Sequence, residues 1–508
     1  MSILSPHSLS AILITVTLSG TFSSGNVFAG GSMQPPEWMP SSQSSTPVPT
    51  QAPPGGQGAQ GRRTGIDLRV PPVPFGELGI GGTVDLECGK AGVYHSLQDA
   101  LRHASTACAL LLDFPDSKVH FEEFPIAITS LKKLRVLDLS GHDIELLPPQ
   151  ISGLTQLSVL DLGGNALTDL PAEMGTLQNL HTLILHGNPL VEFPPSLWKL
   201  TNLQELYIGE IGLKELPAEI GNLKNLIVLH VGGNDLQSLP GTIGSIPHLT
   251  TLETGNNEIT ALPVEIGDLT SLRILDLDGN PIGMFPDTFG RLTGLLVLHA
   301  DGTKLTNLPY DLGRLSNLRV LHVSGNELTA LPTSIRRLDR LRMLDVSENL
   351  LQNLPMEIGE LENLAVLDVH GNLLRSLPST IGNLTRLIEL NADSNLLSTL
   401  PQTMGTMTAL EKLSVADNGL TTIPEGLGNA PDLKFLDVSE NRIDYLPRAI
   451  GNLKQLRELR MENNRITKLP LTMTELTSLR WLSINGNPIQ GPKIDALQLY
   501  MPSLTIYR

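Results

Sequence analysis

The chain has 508 residues and a formal net charge of −17. Residues 1–107 carry five basic and six acidic side chains, whereas residues 108–508 carry 30 and 46, so almost all of the negative charge lies in the larger part. Because a phosphate backbone is bound by clustered Lys and Arg, this balance argues against a nucleic-acid ligand. Two cysteines, Cys88 and Cys108, are too few for a disulfide framework or a cysteine zinc module. The sequence is compatible both with a disulfide between Cys88 and Cys108 and with two reduced thiols, and we expect the reduced thiols.

The first 30 residues are predicted to direct export, by one of two routes. The apolar segment 9–22, followed by Val27, Phe28 and Ala29, is similar to the apolar region and cleavage site of a signal peptide, and it is too short to span a bilayer. No Lys or Arg precedes Arg62, however, and twelve serines occur in the first fifty positions. These features suit an uncleaved leader of the kind read by bacterial type III secretion machines. A secretion leader, a signal peptide cleaved near Ala29 and plain disorder therefore all stay open.

Residues 31–75 are rich in Pro, Gly, Ser and Gln, which predicts a disordered linker. Residues 76–130 are predicted to form an N-terminal cap. The cap includes a short amphipathic helix from Ser96 to Ala104, with Ser96 as its N-cap and with Leu97 and Leu101 on one face. A degenerate repeat follows, with Leu111, Phe114, Phe121, Phe124, Pro125 and Ile128 at its apolar positions.

One 23-residue pattern then recurs sixteen times without insertion over residues 131–490: L-x-x-L-x-x-L-x-L-x-x-N-x-L-x-x-L-P-x-x-I-G-x. Such self-similarity is typical of a solenoid, and the L-x-x-L-x-L-x-x-N-x-L core is that of a leucine-rich repeat. The predicted fold class is α/β: a curved horseshoe with a parallel concave β-sheet and short convex 3₁₀ or α segments. Residues 491–508 are predicted to cap its C-terminal end, and the copies begin at Leu131, Leu154, Leu177, Leu200, Leu223, Ile246, Leu269, Leu292, Leu315, Leu338, Leu361, Leu384, Met407, Ala430, Leu453 and Leu476.

The copy that begins at Leu338 illustrates the alternation of its short strand. A period of two places alternate residues on opposite faces of a strand. The expected inward residues are Leu341, Leu344 and Val346, and the expected outward residues are Met343, Asp345 and Ser347. After the turn, Pro355 is expected to begin a 3₁₀-like segment on the convex side, and Gly359 is expected to end it.

An asparagine follows the strand in thirteen of the sixteen copies, as at Asn349. Its amide both donates and accepts, so it can pair with backbone groups of neighbouring coils that the sheet does not satisfy. The exceptions are His142, Ile211 and Thr303. Since the Ile211 side chain has neither donor nor acceptor, we expect this asparagine ladder to be weakest around the fourth copy.

The frame L-P-x-x-I-G-x-L, as in residues 216–223, resembles the 23-residue class of plant Ras-group leucine-rich repeat proteins and of leucine-rich type III effectors of plant-pathogenic bacteria. The resemblance covers about four fifths of the chain, and the serine-rich leader favours the bacterial effectors. It implies the fold firmly and the function weakly, because the matching residues are structural. Some effectors carry a ubiquitin-ligase domain after the repeats, but only about twenty residues follow Asn487, which we expect to be too few for one.

Two rows of outward residues on successive strands form the predicted site. One row is apolar, and the row beside it is titratable. A mixed His and Asp cluster can hold a divalent metal or act as a proton switch, although a plain polar surface is the commoner meaning. The apolar row, bordered by charge, instead predicts protein binding. The predicted partner-binding residues are Val228, His230, Ile274, Asp276, Val297, His299, Val320, His322, Met343, Asp345, Val366 and Asp368, with Phe435 and Trp481 as anchors further along the same side.

No catalytic motif was found, so we expect neither an enzyme, a cofactor nor a metal site. The sequence predicts a monomeric, secreted or host-injected bacterial leucine-rich repeat protein without stable membrane insertion. It would bind a partner protein, such as a host protein, through the concave sheet and act as a virulence effector. One alternative is an exported scaffold of the cell envelope, located in the periplasm or at the cell surface. A third is the substrate-recognition part of a ubiquitin ligase that lacks its own catalytic domain.

Overall fold

The computed structural model describes Cys88 and residues 92–113, 119–190, 192–489 and 491–508. The chain divides into two units, Met1–Leu78 and Gly79–Arg508, and every described residue belongs to the second. The predictions for residues 1–30 and 31–75, and that for Phe114, lie outside the described residues.

The described residues build a sheet of nineteen short strands. Each strand pairs in parallel with the next one along the chain, as the repeat predicts. The strands are β1 (Val93–Tyr94), β2 (Ala109–Leu111), β3 (Val136–Asp138), β4 (Val159–Asp161), β5 (Thr182–Ile184), β6 (Glu205–Tyr207), β7 (Val228–His230), β8 (Thr251–Glu253), β9 (Ile274–Asp276), β10 (Val297–His299), β11 (Val320–His322), β12 (Met343–Asp345), β13 (Val366–Asp368), β14 (Glu389–Asn391), β15 (Lys412–Ser414), β16 (Phe435–Asp437), β17 (Glu458–Arg460), β18 (Trp481–Ser483) and β19 (Thr505–Tyr507).

Short 3₁₀ helices connect the strands on the opposite side of the coil, which confirms the predicted convex segments. They span Ile126–Ser130, Pro149–Gly153, Ala172–Thr176, Leu197–Lys199, Ala218–Asn222, Gly241–Ser245, Val264–Asp268, Phe289–Arg291, Leu312–Arg314, Thr333–Arg337, Met356–Glu360, Ser379–Asn383, Gln402–Thr406, Glu425–Asn429, Arg448–Asn452 and Leu471–Glu475. At Gly359 an added Cβ would clash with the carbonyl oxygen of Thr380 in the next coil. Glycine is therefore needed there because adjacent coils pack closely.

Two α-helices flank the repeats, α1 (Leu97–Arg102) and α2 (Gly491–Tyr500). Helix α1 lies within the predicted 96–104 segment, and the Ser96 Oγ accepts a hydrogen bond from the Asp99 N–H at 3.4 Å, as expected of an N-cap. Leu97 and Leu101 pack against the first coil. Within the described ranges, no helix has the length and apolar character needed to cross a membrane.

The N-terminal cap contains a disulfide between Cys88 and Cys108, so the expectation of two reduced thiols is wrong. Sequence spacing did not show that the two Cα atoms lie 5.5 Å apart, a separation that a disulfide spans. Cys108 directly precedes β2, and its backbone N–H donates to Gly92 O at 2.9 Å. The bridge therefore ties the segment before β1 to the start of the sheet.

The core lies between the sheet and the 3₁₀ helices, and its residues follow the predicted alternation. Leu341, Leu344 and Val346 are fully buried, which confirms their inward orientation. Met343 and Asp345 are partly exposed on the other side of β12. Ser347 lies on the same side as Asp345, as predicted, but it is buried: its Oγ donates to Asp345 and lies 2.8 Å from Ser324 Oγ.

The asparagine ladder is present as predicted. The Leu328 N–H donates to Asn349 Oδ1 at 2.9 Å, and Asn349 Nδ2 donates to Val323 O at 2.9 Å and to Val346 O at 3.1 Å. The two carbonyls are shared, because Asn326 also donates to Val323 O and Asn372 also donates to Val346 O. Each of these two carbonyls therefore receives two amides, whereas the Leu328 N–H has one acceptor.

Two of the three exceptions reproduce part of the asparagine pattern. His142 Nε2 lies 2.7 Å from Leu112 O, and the Phe121 N–H donates to His142 Nδ1 at 3.4 Å. Thr303 donates to Ala300 O at 2.8 Å. Ile211 provides no such side-chain bond, but the Ile211 N–H donates to Asn234 Oδ1 at 3.0 Å.

The residue before each ladder position has a positive φ in all sixteen copies. Gly325 has a φ of 64° and Glu348 has a φ of 51°. Only glycine adopts this left-handed conformation without steric cost, so the copies with a larger residue are strained at this turn. The repeat therefore imposes a positive φ at this position, although only some of the copies have glycine there.

Candidate protein-binding surface

The outward side of the sheet, here called the concave face, carries the two predicted rows. Strand register places Val228, Thr251, Ile274, Val297, Val320, Met343 and Val366 side by side along β7–β13, and we call this set the apolar row. The same register aligns the titratable row, which consists of His230, Glu253, Asp276, His299, His322, Asp345 and Asp368. The predicted neighbours are therefore brought together.

The apolar row is less exposed than the sequence predicts. Val297 and Val320 are only 5% and 8% exposed, and the other members of the row are half-buried. The expectation of water-facing valines is wrong for these two, because adjacent parallel strands are only about 4.8 Å apart and their branched side chains cover one another. The row presents a low apolar ridge, with more exposed surface at Met343 and Val366 than at its centre.

Burial changes the protonation of the acids on this face. It raises the pKa of Glu253, Asp278 and Asp301 to about 7 each, and nearby carboxylates add to each shift. The pKa values of Asp276 and Asp345 are also raised by burial. Around neutral pH the face therefore carries less negative charge than its sequence suggests.

Two histidines of the titratable row, His230 and His322, have pKa values that are lowered rather than raised. Burial lowers the pKa of His230 and of His322 to about 4, and in both cases the charge of a second histidine contributes. His370 differs, because the hydrogen bond between its Nδ1 and Asp368 Oδ1, 2.8 Å long, raises its pKa to about 9. Of these three rings, only that of His370 is charged at neutral pH.

Several of these acids also have a structural role that the sequence did not reveal. The Asp301 N–H donates to Asp278 Oδ1 at 2.6 Å, and the Ser324 N–H donates to Asp301 Oδ1 at 2.6 Å. Asp276 Oδ1 accepts the Asp278 N–H at 3.0 Å. These carboxylates satisfy backbone N–H groups just beyond the strand ends, which explains part of the acidity of the concave face.

The His and Asp residues do not assemble a metal site. Among the described residues, no group of three or more His, Cys, Asp or Glu side chains is arranged to hold a metal ion. His322 Nδ1 lies 3.9 Å from Asp301 Oδ2, which is too long for a hydrogen bond. The arrangement instead suits a surface whose charge changes with pH.

The two predicted anchors lie at the C-terminal end of the concave face. Phe435 is half-buried between two cations, with Lys412 Nζ 5.8 Å and Arg460 Cζ 5.2 Å from its ring centre. Trp481 is 48% exposed. Charged residues, including the Lys412–Glu389 ion pair, separate them from the apolar row, so they form a second patch.

Sequence reasoning missed a second ladder along the edge where the strands begin. Asn225 Nδ2 donates to Thr201 O at 2.8 Å, and Asn317 Nδ2 donates to Thr293 O at 2.8 Å. Asn363 makes the corresponding bond to Asp339 O at 2.6 Å. The recurring N-L pair, as at residues 225–226 and 317–318, was the available signal. Arginines interspersed along this edge were also overlooked.

Comparison with known proteins identifies the family. Leucine-rich repeat models match residues 224–282, 317–338, 335–429 and 408–466. The chain is similar to a leucine-rich repeat protein of Leptospira interrogans, with 33% identity and a TM-score of 0.72 over 82% of this chain and 99% of that chain. The chain belongs to the leucine-rich repeat family. Proteins of this family are generally non-catalytic scaffolds for protein interaction.

Two further similar structures are complexes. One is the ectodomain of the Arabidopsis thaliana receptor kinase GASSHO1/SCHENGEN3 with CASPARIAN STRIP INTEGRITY FACTOR 2, with 27% identity and a TM-score of 0.50 over 76% of this chain and 56% of that chain. The other is PEPR1–AtPEP1, with 25% identity and a TM-score of 0.57 over 79% of this chain and 68% of that chain. No curated protein sequence matches the chain significantly.

Proposed function

We propose that this leucine-rich repeat protein is exported and binds a partner protein across its concave face. The proposal rests on two features that lie side by side along β7–β13. One is the apolar row, and the other is a set of acids whose pKa is raised by burial and histidines whose pKa is lowered by burial. A partner that binds must remove water from this face. The free-energy cost of that desolvation is smaller for a weakly charged surface beside an apolar ridge than for a fully charged surface. The similar structures solved with bound partners support this use of the fold.

The disulfide supports export. A bond between Cys88 and Cys108 persists in an oxidising compartment and is rare in a cytosol. This favours the signal-peptide route, with cleavage near Ala29, over injection into a host cytosol by a type III machine. We further propose, from the similarity to the Leptospira protein, a bacterial source and an extracellular host protein as the partner, which would make the chain a virulence factor.

A matched pair of variants tests the concave site. Met343→Lys in the half-buried apolar row should abolish capture of the partner, because a long cation would have to be desolvated within the interface. Met356→Lys makes the same chemical change on the convex side, where Met356 is 62% exposed, and should leave capture unchanged. If both variants retain every wild-type partner, the concave site is wrong and an envelope scaffold becomes the better account.

Sequencing the N-terminus of protein recovered from the culture medium tests the export route. A start just after Ala29 supports signal cleavage. An intact Met1 or Ser2 start contradicts it and supports an uncleaved leader.

A further inference from the structure

A cavity lined by arginines lies at the edge of the sheet where β11 and β12 begin. It has a volume of about 260 Å³ and is lined by Arg319, Arg340, Arg342 and Asn363, here called the arginine cavity. It lies outside both rows of the concave face. Three guanidinium groups around one cavity are unexpected in a chain whose net charge is −17.

Backbone geometry forces two of these cations together. Arg319 and Arg342 directly precede residues that are paired in β11 and β12, and the Arg342 N–H donates to Arg319 O at 2.8 Å. Adjacent strands lie about 4.8 Å apart, so the two side chains leave the edge as close neighbours. Two cations held this close repel each other unless an anion lies between them.

Two asparagines of the edge ladder hold the cavity wall in place. Arg340 donates through Nη1 to Asn317 Oδ1 at 2.7 Å. Asn363 is fixed by its bond to Asp339 O and also accepts a hydrogen bond from Arg386. Since these amides are themselves tied to the backbone, the donors of Arg340 and Arg386 are positioned before any ligand arrives.

No carboxylate within the described ranges is paired with an arginine of this cavity. Among the described residues, Arg319, Arg340 and Arg342 form no ion pair, whereas Arg314 lies 3.6 Å from Asp311 and Arg460 is paired with Glu458. The residues that occupy the same position before the flanking strands β10 and β13 are the neutral Leu296 and Ala365.

Basic residues also precede other strands along this edge. Of the sixteen residues that directly precede β3–β18, seven are basic and only Glu411 is acidic. The basic ones are Arg135, Arg273, Arg319, Arg342, Lys434, Arg457 and Arg480. The edge is therefore basic beside an acid-rich concave face. Its cations are neighbours in two places, before β11 and β12, where they line the arginine cavity, and before β16–β18.

We propose that the arginine cavity binds a tetrahedral oxyanion, namely a phosphate or sulfate group. The planar guanidinium donates paired hydrogen bonds that match such oxygens, and an arginine keeps its charge at every physiological pH. The volume is several times the roughly 30 Å³ that a water molecule occupies in the liquid, so the anion fits together with part of an ester substituent. This site is independent of the concave face, and either assignment can fail without the other.

The test measures anion binding by the intact protein. Equilibrium dialysis with radiolabelled inorganic phosphate gives the affinity of the wild type at constant ionic strength. Competition with inorganic sulfate, phenyl phosphate and phenyl sulfate identifies the preferred anion and ester, and benzoate serves as the carboxylate control. We expect the tetrahedral anions to compete and benzoate to compete poorly.

A charge-matched pair of double variants locates the site. Arg319→Gln with Arg342→Gln should weaken phosphate binding at least about tenfold, because two charge-assisted contacts are lost. Arg457→Gln with Arg480→Gln removes the same charge from the same edge, away from the cavity, and should change binding less than about twofold. If the first double variant is misfolded by circular dichroism, the exposed Arg340→Gln replaces it.

Two results would overturn the proposal. One is equal weakening by the two double variants, which would mean diffuse attraction by net charge. The other is the absence of phosphate and sulfate binding to the wild type up to about 10 mM.

Discussion

His299 and His322 occupy the same position of adjacent parallel strands, and their ring centroids lie 4.8 Å apart. Burial, which penalises the charged form of the ring, and the charge of the neighbouring His299 lower the pKa of His322 to about 4. On the next outward position, the pKa of Asp301 is raised to about 7. The concave face therefore contains groups whose titration acts on stability in opposite directions.

Asp278→Asn should stabilise the protein at high pH. The pKa of Asp278 is about 7 in the folded chain, above its ordinary value of 3.8, so the folded state binds the extra proton between about pH 4 and 7 and stability falls as pH rises through that window. Asparagine keeps the acceptor for the Asp301 N–H without the charge. Urea unfolding should show little difference from wild type at pH 4 and a gain of roughly 1–3 kcal/mol at pH 8.

His322→Gln should show the opposite pH dependence. Because its pKa is lowered to about 4, His322 contributes stability that is present above pH 6.5 and is lost as pH falls towards 4. The variant should gain stability relative to wild type at pH 4 and not at pH 8. If both variants changed stability by the same amount at both pH values, burial of these groups would not control their titration.

Asn349→Ala should lower the free energy of unfolding by about 1–3 kcal/mol, because the buried Leu328 N–H loses its acceptor. The carbonyls of Val323 and Val346 keep one amide each from neighbouring copies, so the cost arises mainly from that N–H. The control is Asn225→Ala on the exposed edge ladder, where water replaces the lost bond and the cost should stay below about 1 kcal/mol. Denaturant unfolding of the two variants compares these costs, and equal losses would contradict the ladder account.

Ile211→Asn tests the same ladder by completing it. An asparagine at this position can accept from the Leu190 N–H, as Asn234 does from the Leu213 N–H at 3.0 Å. The free energy gained from this hydrogen bond opposes the free energy lost with the buried apolar side chain of Ile211. We therefore expect a free energy of unfolding within about 1 kcal/mol of wild type. A loss as large as that of Asn349→Ala would contradict the expectation.

Reduction of the disulfide should loosen the N-terminal cap selectively. The bridge closes a loop with a sequence separation of 20, for which chain entropy predicts a stabilisation of about 3 kcal/mol. Hydrogen exchange should therefore accelerate in β1 and β2 after reduction and stay unchanged in β11–β13, since repeats contact only their neighbours. Uniform acceleration throughout the sheet would show that the cap and the centre unfold together.

The sequence predicted the fold because every copy of the repeat imposes the same packing and hydrogen-bonding requirements on its neighbours. Leu341, Leu344 and Asn349 recur in equivalent form in nearly every copy, and each meets the same neighbours from the coils on either side. The disulfide was mispredicted because nothing in the spacing of two cysteines reports the distance between their Cα atoms. The burial of Ser347 was not predicted because it depends on hydrogen bonds with Asp345 and Ser324, which strand alternation does not include.

The sequence predicted where the candidate site lies, but it predicted the exposure and hydrogen bonding of the site's side chains only in part. Alternation and register align the apolar row correctly, but the burial of Val297 and Val320 depends on how neighbouring side chains cover one another. The sequence shows that Asp278 and Asp301 are acidic, but not that each carboxylate accepts a backbone N–H. The arginine cavity requires Arg319 and Arg342 to converge across two strands, which a linear reading of the chain did not reveal.

Site-specific photocrosslinking tests the concave site most directly. A photoreactive amino acid is placed at position 343 on β12 or at position 356 on the convex 3₁₀ helix of the same repeat, and the exported protein is illuminated in the presence of host surface protein. We predict that position 343 crosslinks to one defined partner and that position 356 does not. Crosslinking of that partner from position 356 alone would contradict binding through the concave face.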